Sequence, residues 1–236
     1  MSLEQRDQFI KHIFSTVAPH VDLLSSGFSF GFDHLWRRQT VALSGIHAGA
    51  QVLDVCTGTG ELAFLLSRLV GPRGSVTGAD FCEEMLERAK TKSGTQYQNL
   101  FFIVSDAKQV PFPDNTFDAV TVAFGMRNIP DTSLALKEIK RVLKPGGTFV
   151  CLELTRPHAR WFRLLYEWYV FRVMPFIGEL VVKTAAPYLY LPRSINAFYP
   201  PEEFRQVIAE QGFSDVRVDS LTMGIATLYR AMKPRW

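Results

Sequence analysis

Three acids and a pair of glycines are the residues best spaced to hold a ligand. Val52-Leu53-Asp54-Val55-Cys56-Thr57-Gly58-Thr59-Gly60-Glu61 runs from apolar residues through an acid into a glycine turn, then into a helical pattern. Asp80 closes the next apolar run, and Asp106 follows the one after, Leu100–Val104. A strand, a glycine turn and an acid after the following strand are what a nucleoside-bearing cofactor requires. Gly58 and Gly60 let backbone approach a ligand with no Cβ in the way, and the helix that follows offers free N–H groups. A carboxylate at Asp80 can accept both ribose hydroxyls. Asp106-Ala107 is placed against adenine, the acid accepting from the exocyclic amine.

Glycine spacing alone leaves the cofactor open, because Gly58-Thr59-Gly60-Glu61-Leu62-Ala63 also satisfies a dinucleotide fingerprint. The acids tilt the choice. Asp54 precedes the turn and Glu61 opens the helix where a pyrophosphate would lie, so an anion would be repelled. S-adenosylmethionine is cationic at sulfur and carries an amino group, and acids favour it.

The elements that must position these residues alternate in type. Gln51–Cys56, Ser75–Asp80, Leu100–Val104, Phe117–Phe124 and Thr148–Leu154 read as strands. Gly60–Leu69, Glu83–Lys90 and Ser133–Leu143 read as helices, the last stopped by Pro145-Gly146-Gly147. After Pro200 come a helix, Glu202–Gln211, and strands around Val216–Asp219 and Ile225–Ala231. The pattern predicts an α/β, Rossmann-like, seven-stranded and mostly parallel sheet with helices on both faces. Asp54, Asp80, Asp106 and Ala123 then converge on one crevice beyond the strands' carboxyl ends. Residues 1–44 form an N-terminal helical cap, and 45–236 the main domain. An aromatic insertion follows strand 5 over about 157–200, with Trp161, Tyr166, Trp168, Tyr169 and Phe171 crowded together.

With 236 residues, 47% of them hydrophobic, the chain suffices for one sizeable core. A formal charge of +3 argues against a nucleic-acid binder. Cys56, Cys82 and Cys151 are odd in number and far apart, which fits a reducing cytoplasm. No signal-peptide core and no transmembrane run are expected. His12, His20, His34, His47 and His158 show no metal-ligand spacing, so no metal is expected.

Several segments together carry a resemblance. They are Phe28-Ser29-Phe30-Gly31 with Leu35-Trp36-Arg37-Arg38, the glycine turn, and Ala79-Asp80-Phe81-Cys82-Glu83-Glu84. Most specific are Pro111-Phe112-Pro113-Asp114-Asn115-Thr116-Phe117-Asp118 and Phe124-Gly125-Met126-Arg127-Asn128. Arg141-Val142-Leu143-Lys144-Pro145-Gly146-Gly147 and Tyr188-Leu189-Tyr190-Leu191-Pro192-Arg193-Ser194-Ile195 complete the set. The sequence resembles the class I S-adenosylmethionine-dependent methyltransferases, and within them the quinone-biosynthesis C-methyltransferases. The resemblance implies cofactor contacts at Thr59, Asp80, Phe81, Asp106 and Ala107, with Gly58 and Gly60 shaping the turn. At Ala123, where relatives often carry serine, only backbone contact remains. The family's tyrosine and asparagine flanking Asp22 are replaced by Val21 and Ser25.

The implied reaction moves a methyl group to a ring carbon of a polyprenyl quinol, naphthoquinol or benzoquinol. Arg127 would stabilise a phenolate or orient a proton-relaying water, since a guanidinium gives up its proton too reluctantly to act as a free base. Asn128 would hold the other oxygen. The base is either such a water or Asp22. Phe124, Met126, Tyr188 and Tyr190 are candidate acceptor-binding residues. The insertion reads as a lid, a homodimer surface or a peripheral contact with the inner face of a membrane. Two alternatives stand beside this: methylation of another small apolar acceptor, and a non-catalytic cofactor-binding scaffold.

Overall fold

The computed structural model describes residues 3–182 and 186–235, so positions 1–2, 183–185 of the insertion and 236 lie outside the described residues. Three helices come first: α1 (Leu3–Val17), α2 (Val21–Phe28) and α3 (Phe32–Leu43). Then β1 (Gln51–Val55), α4 (Glu61–Val70), β2 (Ser75–Asp80), α5 (Glu83–Ser93), β3 (Leu100–Val104) and β4 (Phe117–Ala123) alternate, followed by α6 (Thr132–Val142) and β5 (Leu143–Leu154). The insertion holds α7 (Arg160–Trp168), a π-helical stretch Tyr169–Val173, α8 (Met174–Val182) and α9 (Ala186–Ala197). The chain closes with α10 (Pro201–Glu210), β6 (Ser214–Leu221) and β7 (Ala226–Met232).

The seven strands form one sheet in the order β3-β2-β1-β4-β5-β7-β6. The first five pair in parallel, and β7 runs antiparallel to both β5 and β6. Strand order reverses between β1 and β4, which opens a crevice at their carboxyl ends. Alternation sends successive side chains to opposite faces. Leu53 and Val55 join Val120, Val122 and Phe149 under Leu136 and Ile139 of α6. Val52 packs the other way, with Leu62 and Leu66 of α4 and Val76 of β2.

The N-terminal helices are tied into this body. Trp36 of α3 packs on Val150, Leu152 and Leu228, and its indole N–H donates to the Thr222 hydroxyl at 2.8 Å. Val17 and Ala18 meet Cys82 and Met85 at the start of α5. The cap also meets the insertion: Phe9 stacks edge-on to Tyr190, Phe28 does the same to Tyr188, and the Tyr169 hydroxyl donates to the Phe28 carbonyl. Cap and insertion therefore make a common roof over the strand ends.

The helix ends within one residue of the expected stop, but the strand expected from Thr148 begins earlier and takes in Pro145-Gly146-Gly147. α6 ends at Val142, and β5 begins at once with Leu143 opposite Phe117. The next pair is Ala119 with Thr148, so Lys144–Gly147 is a bulge inside the strand. Gly146 has φ +80°, and a Cβ on Gly147 would lie 2.8 Å from the Lys144 carbonyl. Both groups pair with the Lys233 backbone, so tertiary partners decide the outcome.

Gly125, just beyond β4, is another close approach. A Cβ there would sit 2.4 Å from the Cβ of Cys56, itself at φ +55°. Gly125→Ala should cost about 1–3 kcal/mol by overpacking. Cys56→Gly in that background should recover stability in thermal melting, because it removes both the clash and a strained φ. Equal melting temperatures for wild type and Gly125→Ala would contradict this close contact.

Candidate active site

Asp54 is the buried acid at the end of β1, 1% exposed. Its carboxylate accepts from the hydroxyls of Thr57 at 2.6 Å and Thr121 at 2.5 Å, with no cation bonded to it among the described residues. Burial pushes its carboxyl up to about 6, against pulls from the two hydroxyls and Arg37. Asp80 closes β2 and is also buried. It accepts from the Gly58 N–H at 2.8 Å and the Cys82 N–H at 2.9 Å, so it braces the glycine turn. Each of its oxygens keeps a lone pair for a ligand. Burial raises its carboxyl, offset in part by those backbone donors.

Gly58 and Gly60 both hold positive φ, and Gly60 caps α4 from the left-handed region. α2 reaches this turn: the Thr59 hydroxyl donates to Asp22 at 2.5 Å. Lys92 of α5 pairs with Asp22 at 2.9 Å and also with Glu61. Glu61 thus shares a cation, and the negative charge that discriminates between cofactors rests on Asp54. A second tie joins α1 to the loop after β3, where Lys108 bridges Asp7 at 2.7 Å and Asp106 at 3.4 Å.

The end of β4 is built differently. Phe124 has φ +60°. Its carbonyl accepts from Arg127 Nη1 at 2.5 Å and from the Asn128 amide at 3.2 Å. Arg127 forms a buried ion pair with Glu153 of β5 at 2.5 Å, and Glu153 is 0% exposed. The Glu153 carboxylate also accepts from the backbone N–H groups of Arg127 and Leu154. Asn128 in turn accepts the Tyr190 hydroxyl proton at 2.9 Å.

These elements enclose two cavities. One, of about 220 Å³, is lined by Asp54, Gly58, Thr59, Asp80, Phe81, Asp106, Ala107 and Ala123, with Asp22 and Asn128 at its walls. The other, of about 200 Å³, is lined by the N-terminal helices and the insertion, including Tyr166, Tyr169, Tyr188 and Tyr190. Phe124, Arg127 and Arg37 line both, so the cavities share a wall.

Every candidate cofactor residue except Gly60 lines the first cavity; Gly60 lies behind it, packed near Phe64 and Phe102. Met126 is corrected as an acceptor-binding residue. It is 0% exposed in the core beneath the sheet ends and lines neither cavity, because the turn Met126–Asn128 sends it inward as Arg127 points to the wall. Asp22 is engaged by Thr59 and Lys92 at the glycine turn. Sequence reasoning missed Arg37, Glu153, Lys92, Lys108 and Tyr166 as site components. For Glu153 the one available signal was an acid closing an apolar strand, the same signal that marked Asp80.

The sequence profile of the ubiE/COQ5 methyltransferase family matches residues 2–233. The chain belongs to that family. It is 41% identical over 226 residues to a demethylmenaquinone methyltransferase of Staphylococcus aureus (strain JH9), spanning 96% of this chain and 93% of that protein. Among solved structures, it resembles a SAM-dependent methyltransferase from Aquifex aeolicus, with a TM-score of 0.62, 24% identity, and coverage of 84% and 89% of the two chains. A phosphoethanolamine N-methyltransferase 2 from Haemonchus contortus, in complex with S-adenosyl-L-methionine, gives 0.61 at 18% identity, covering 87% of this chain and 57% of that one. These structural likenesses bear on the fold. The sheet is thus that of a class I methyltransferase, and the chain is an S-adenosylmethionine-dependent methyltransferase.

The residues fit that cofactor: two glycines bare the turn, Asp80 has free lone pairs beside it, and a buried acid without a cation awaits a positive group. A raised carboxyl in the folded state means Asp54 binds its proton more tightly there than when unfolded. Asp54 therefore destabilises the free protein progressively as pH rises from 3.8 to about 6. Affinity for the cationic cofactor should run oppositely, falling as pH drops through about 6. Calorimetry on Asp54→Asn should show weaker binding at neutral pH and a flatter dependence. An unchanged slope in the variant would remove Asp54 from the cofactor's electrostatics.

Proposed function

We propose that this chain methylates a ring carbon of a polyprenyl naphthoquinol of the demethylmenaquinol type. The shared wall carries this reading: a cavity with acids at a glycine turn meets an aromatic cavity at Phe124 and Arg127. The 41% identical relative named for demethylmenaquinone supports naphthoquinol over benzoquinol. S-adenosylmethionine supplies a methyl group on a sulfonium.

The chain's residues align and dry the junction. Asp54, Thr59, Asp80, Phe81 and Ala123 hold the donor side, with Asp106 and Ala107 against the adenine. Phe124, Tyr188 and Tyr190 pack the acceptor ring. Arg127 stabilises the oxyanion that makes the neighbouring ring carbon nucleophilic. That carbon would take the methyl that the bound cofactor supplies, the electron pair of the broken carbon–sulfur bond staying on sulfur. The ring proton then leaves to water and aromaticity returns. Asn128, held by Tyr190, faces the second oxygen. Asp22 keeps the N-terminal roof on the glycine turn, which leaves proton removal to a water oriented by Arg127.

Labelled methyl transfer into short-tailed demethylmenaquinol tests this. Arg127→Ala combined with Glu153→Gln, which leaves no charge buried alone, should lower kcat about 10²–10³-fold and leave cofactor affinity intact. Lost cofactor affinity in the variant would reassign Arg127, and absence of label from the quinol would reject the acceptor.

The substrate's tail makes it membrane-resident, and the insertion presents a matching surface. Trp161, Leu164, Leu165 and Trp168 recur at helical spacing on α7 and are 66%, 62%, 56% and 60% exposed. Not one α7 residue is buried. Arg160, Arg163 and Arg172 lie among them. Tyr166, Tyr169, Val170 and Met174 of the same stretch line the aromatic cavity. No helix among the described residues is long and apolar enough to cross a membrane, so the contact is peripheral. The protein should float with anionic vesicles, and Trp161→Ser with Trp168→Ser should abolish it. No flotation, with a doubled mass in light scattering that those substitutions halve, would give this face to a homodimer instead.

A further inference from the structure

Arg37 has no part in the chemistry so far, yet it stands on the wall the two cavities share. Its guanidinium lies over the Phe124 ring, 5.2 Å from the centroid. Its Nη1 donates to Asp33 at 2.6 Å, and the two side chains are only 12% and 6% exposed. Asp33 is itself held by the hydroxyls of Ser29 at 2.9 Å and Ser26 at 3.3 Å. Burial works to raise the Asp33 carboxyl, but Ser29 and Arg37 outweigh it and hold it below its usual range.

Arg127 is mounted in the same way. Glu153 fixes one edge of its guanidinium, and the Phe124 carbonyl accepts from Nη1. Its Nε is buried and bonded to no acceptor among the described residues. Phe124, in its left-handed conformation, therefore carries one arginine on its ring and the other on its carbonyl. Each arginine has a buried carboxylate to orient it, and each keeps N–H donors that those carboxylates do not use. The donor side of the wall holds Asp54 and Asp80. The guanidiniums of Arg37 and Arg127 stand between the two cavities, and Asp33 on the aromatic side is paired with Arg37.

We propose that Arg37 is a second acceptor-binding cation, and that Arg37 and Arg127 together take the acceptor ring as its monoanion. This rests on the quinol reading above and adds the ionisation state and a second residue to it. The phenolic proton leaves to water as the ring binds. The resulting oxyanion lies among N–H donors that a neutral ring would leave under-used. An arginine serving only to pack on Phe124 and neutralise Asp33, which also lines the aromatic cavity, would make no such distinction once Asp33 is itself replaced by a neutral residue.

That difference is the test. Binding of an ionised hydroxynaphthoquinone and of neutral methylnaphthoquinone is measured by absorbance and fluorescence on wild type, Arg37→Met and Arg37→Lys, with thermal melting as a check on folding. With Asp33→Asn as the common background, so that no carboxylate at the cavity loses its partner, Arg37→Met should weaken the anion about tenfold or more while leaving the neutral ring almost unchanged. Arg37→Lys, which keeps the charge, should restore most of the preference. Equal losses for both rings, or none for either, would overturn the proposal. Wild-type methylation of demethylmenaquinol without any Arg37-dependent preference defeats this inference alone. An Arg37-dependent preference without quinol methylation upholds it and overturns the quinol reading.

Discussion

The buried pair between Arg127 and Glu153 is the constraint on which the site turns. A carboxylate with 0% exposure is costly unless its lone pairs are met. Here they are, by the Arg127 guanidinium and two backbone N–H groups. Removing one partner from such a pair typically costs about 3–5 kcal/mol, because the other charge stays buried. The pair ties the end of β4 to the end of β5. It fixes the turn Met126–Asn128, which sends Met126 into the core and Arg127 to the wall. Phe124 is held at φ +60° in the same stretch, its N–H on the Leu152 carbonyl at 2.7 Å.

From that wall the electrostatics divide. Among the described residues Asp54 has hydroxyl partners only, and it lies among donor-side groups, ready for a positive ligand. Asp22 and Glu61 also face that side but share Lys92. The guanidiniums of Arg37 and Arg127 stand at the boundary with the aromatic cavity. Such a layout suits a cationic group on one side of the wall and an electron-rich ring on the other, each held in place by fixed groups. The roof completes it: α1 and α2 are pinned by Lys108 and Lys92, and the insertion is joined to them through Phe9, Phe28 and Tyr169.

Much of this was legible in local sequence. The glycine turn, Asp54, Asp80, Asp106 and Ala123 fall where strand periodicity puts them, because a parallel sheet brings all its carboxyl ends to one edge. Other features were illegible for identifiable reasons. Leu143–Leu154 reads as a helix end, a stop and a strand, yet Lys233 pairing turns the stop into a bulge. Met126 shares a motif with Arg127 and faces the opposite way. Glu61 looked like an unpaired repulsive charge because its partner, Lys92, comes from another helix.

The sequence by itself determined the fold class, the cofactor and the strand ends that gather at one crevice, because these follow from periodicity, glycine placement and acids at fixed offsets. Tertiary structure alone decided which distant side chains share the wall. Arg37 comes from the cap, Arg127 from the end of β4 and Glu153 from β5, and no local pattern links them. They meet because burying a charge demands an opposite charge within hydrogen-bond reach, and only the folded sheet and its roof bring the two together.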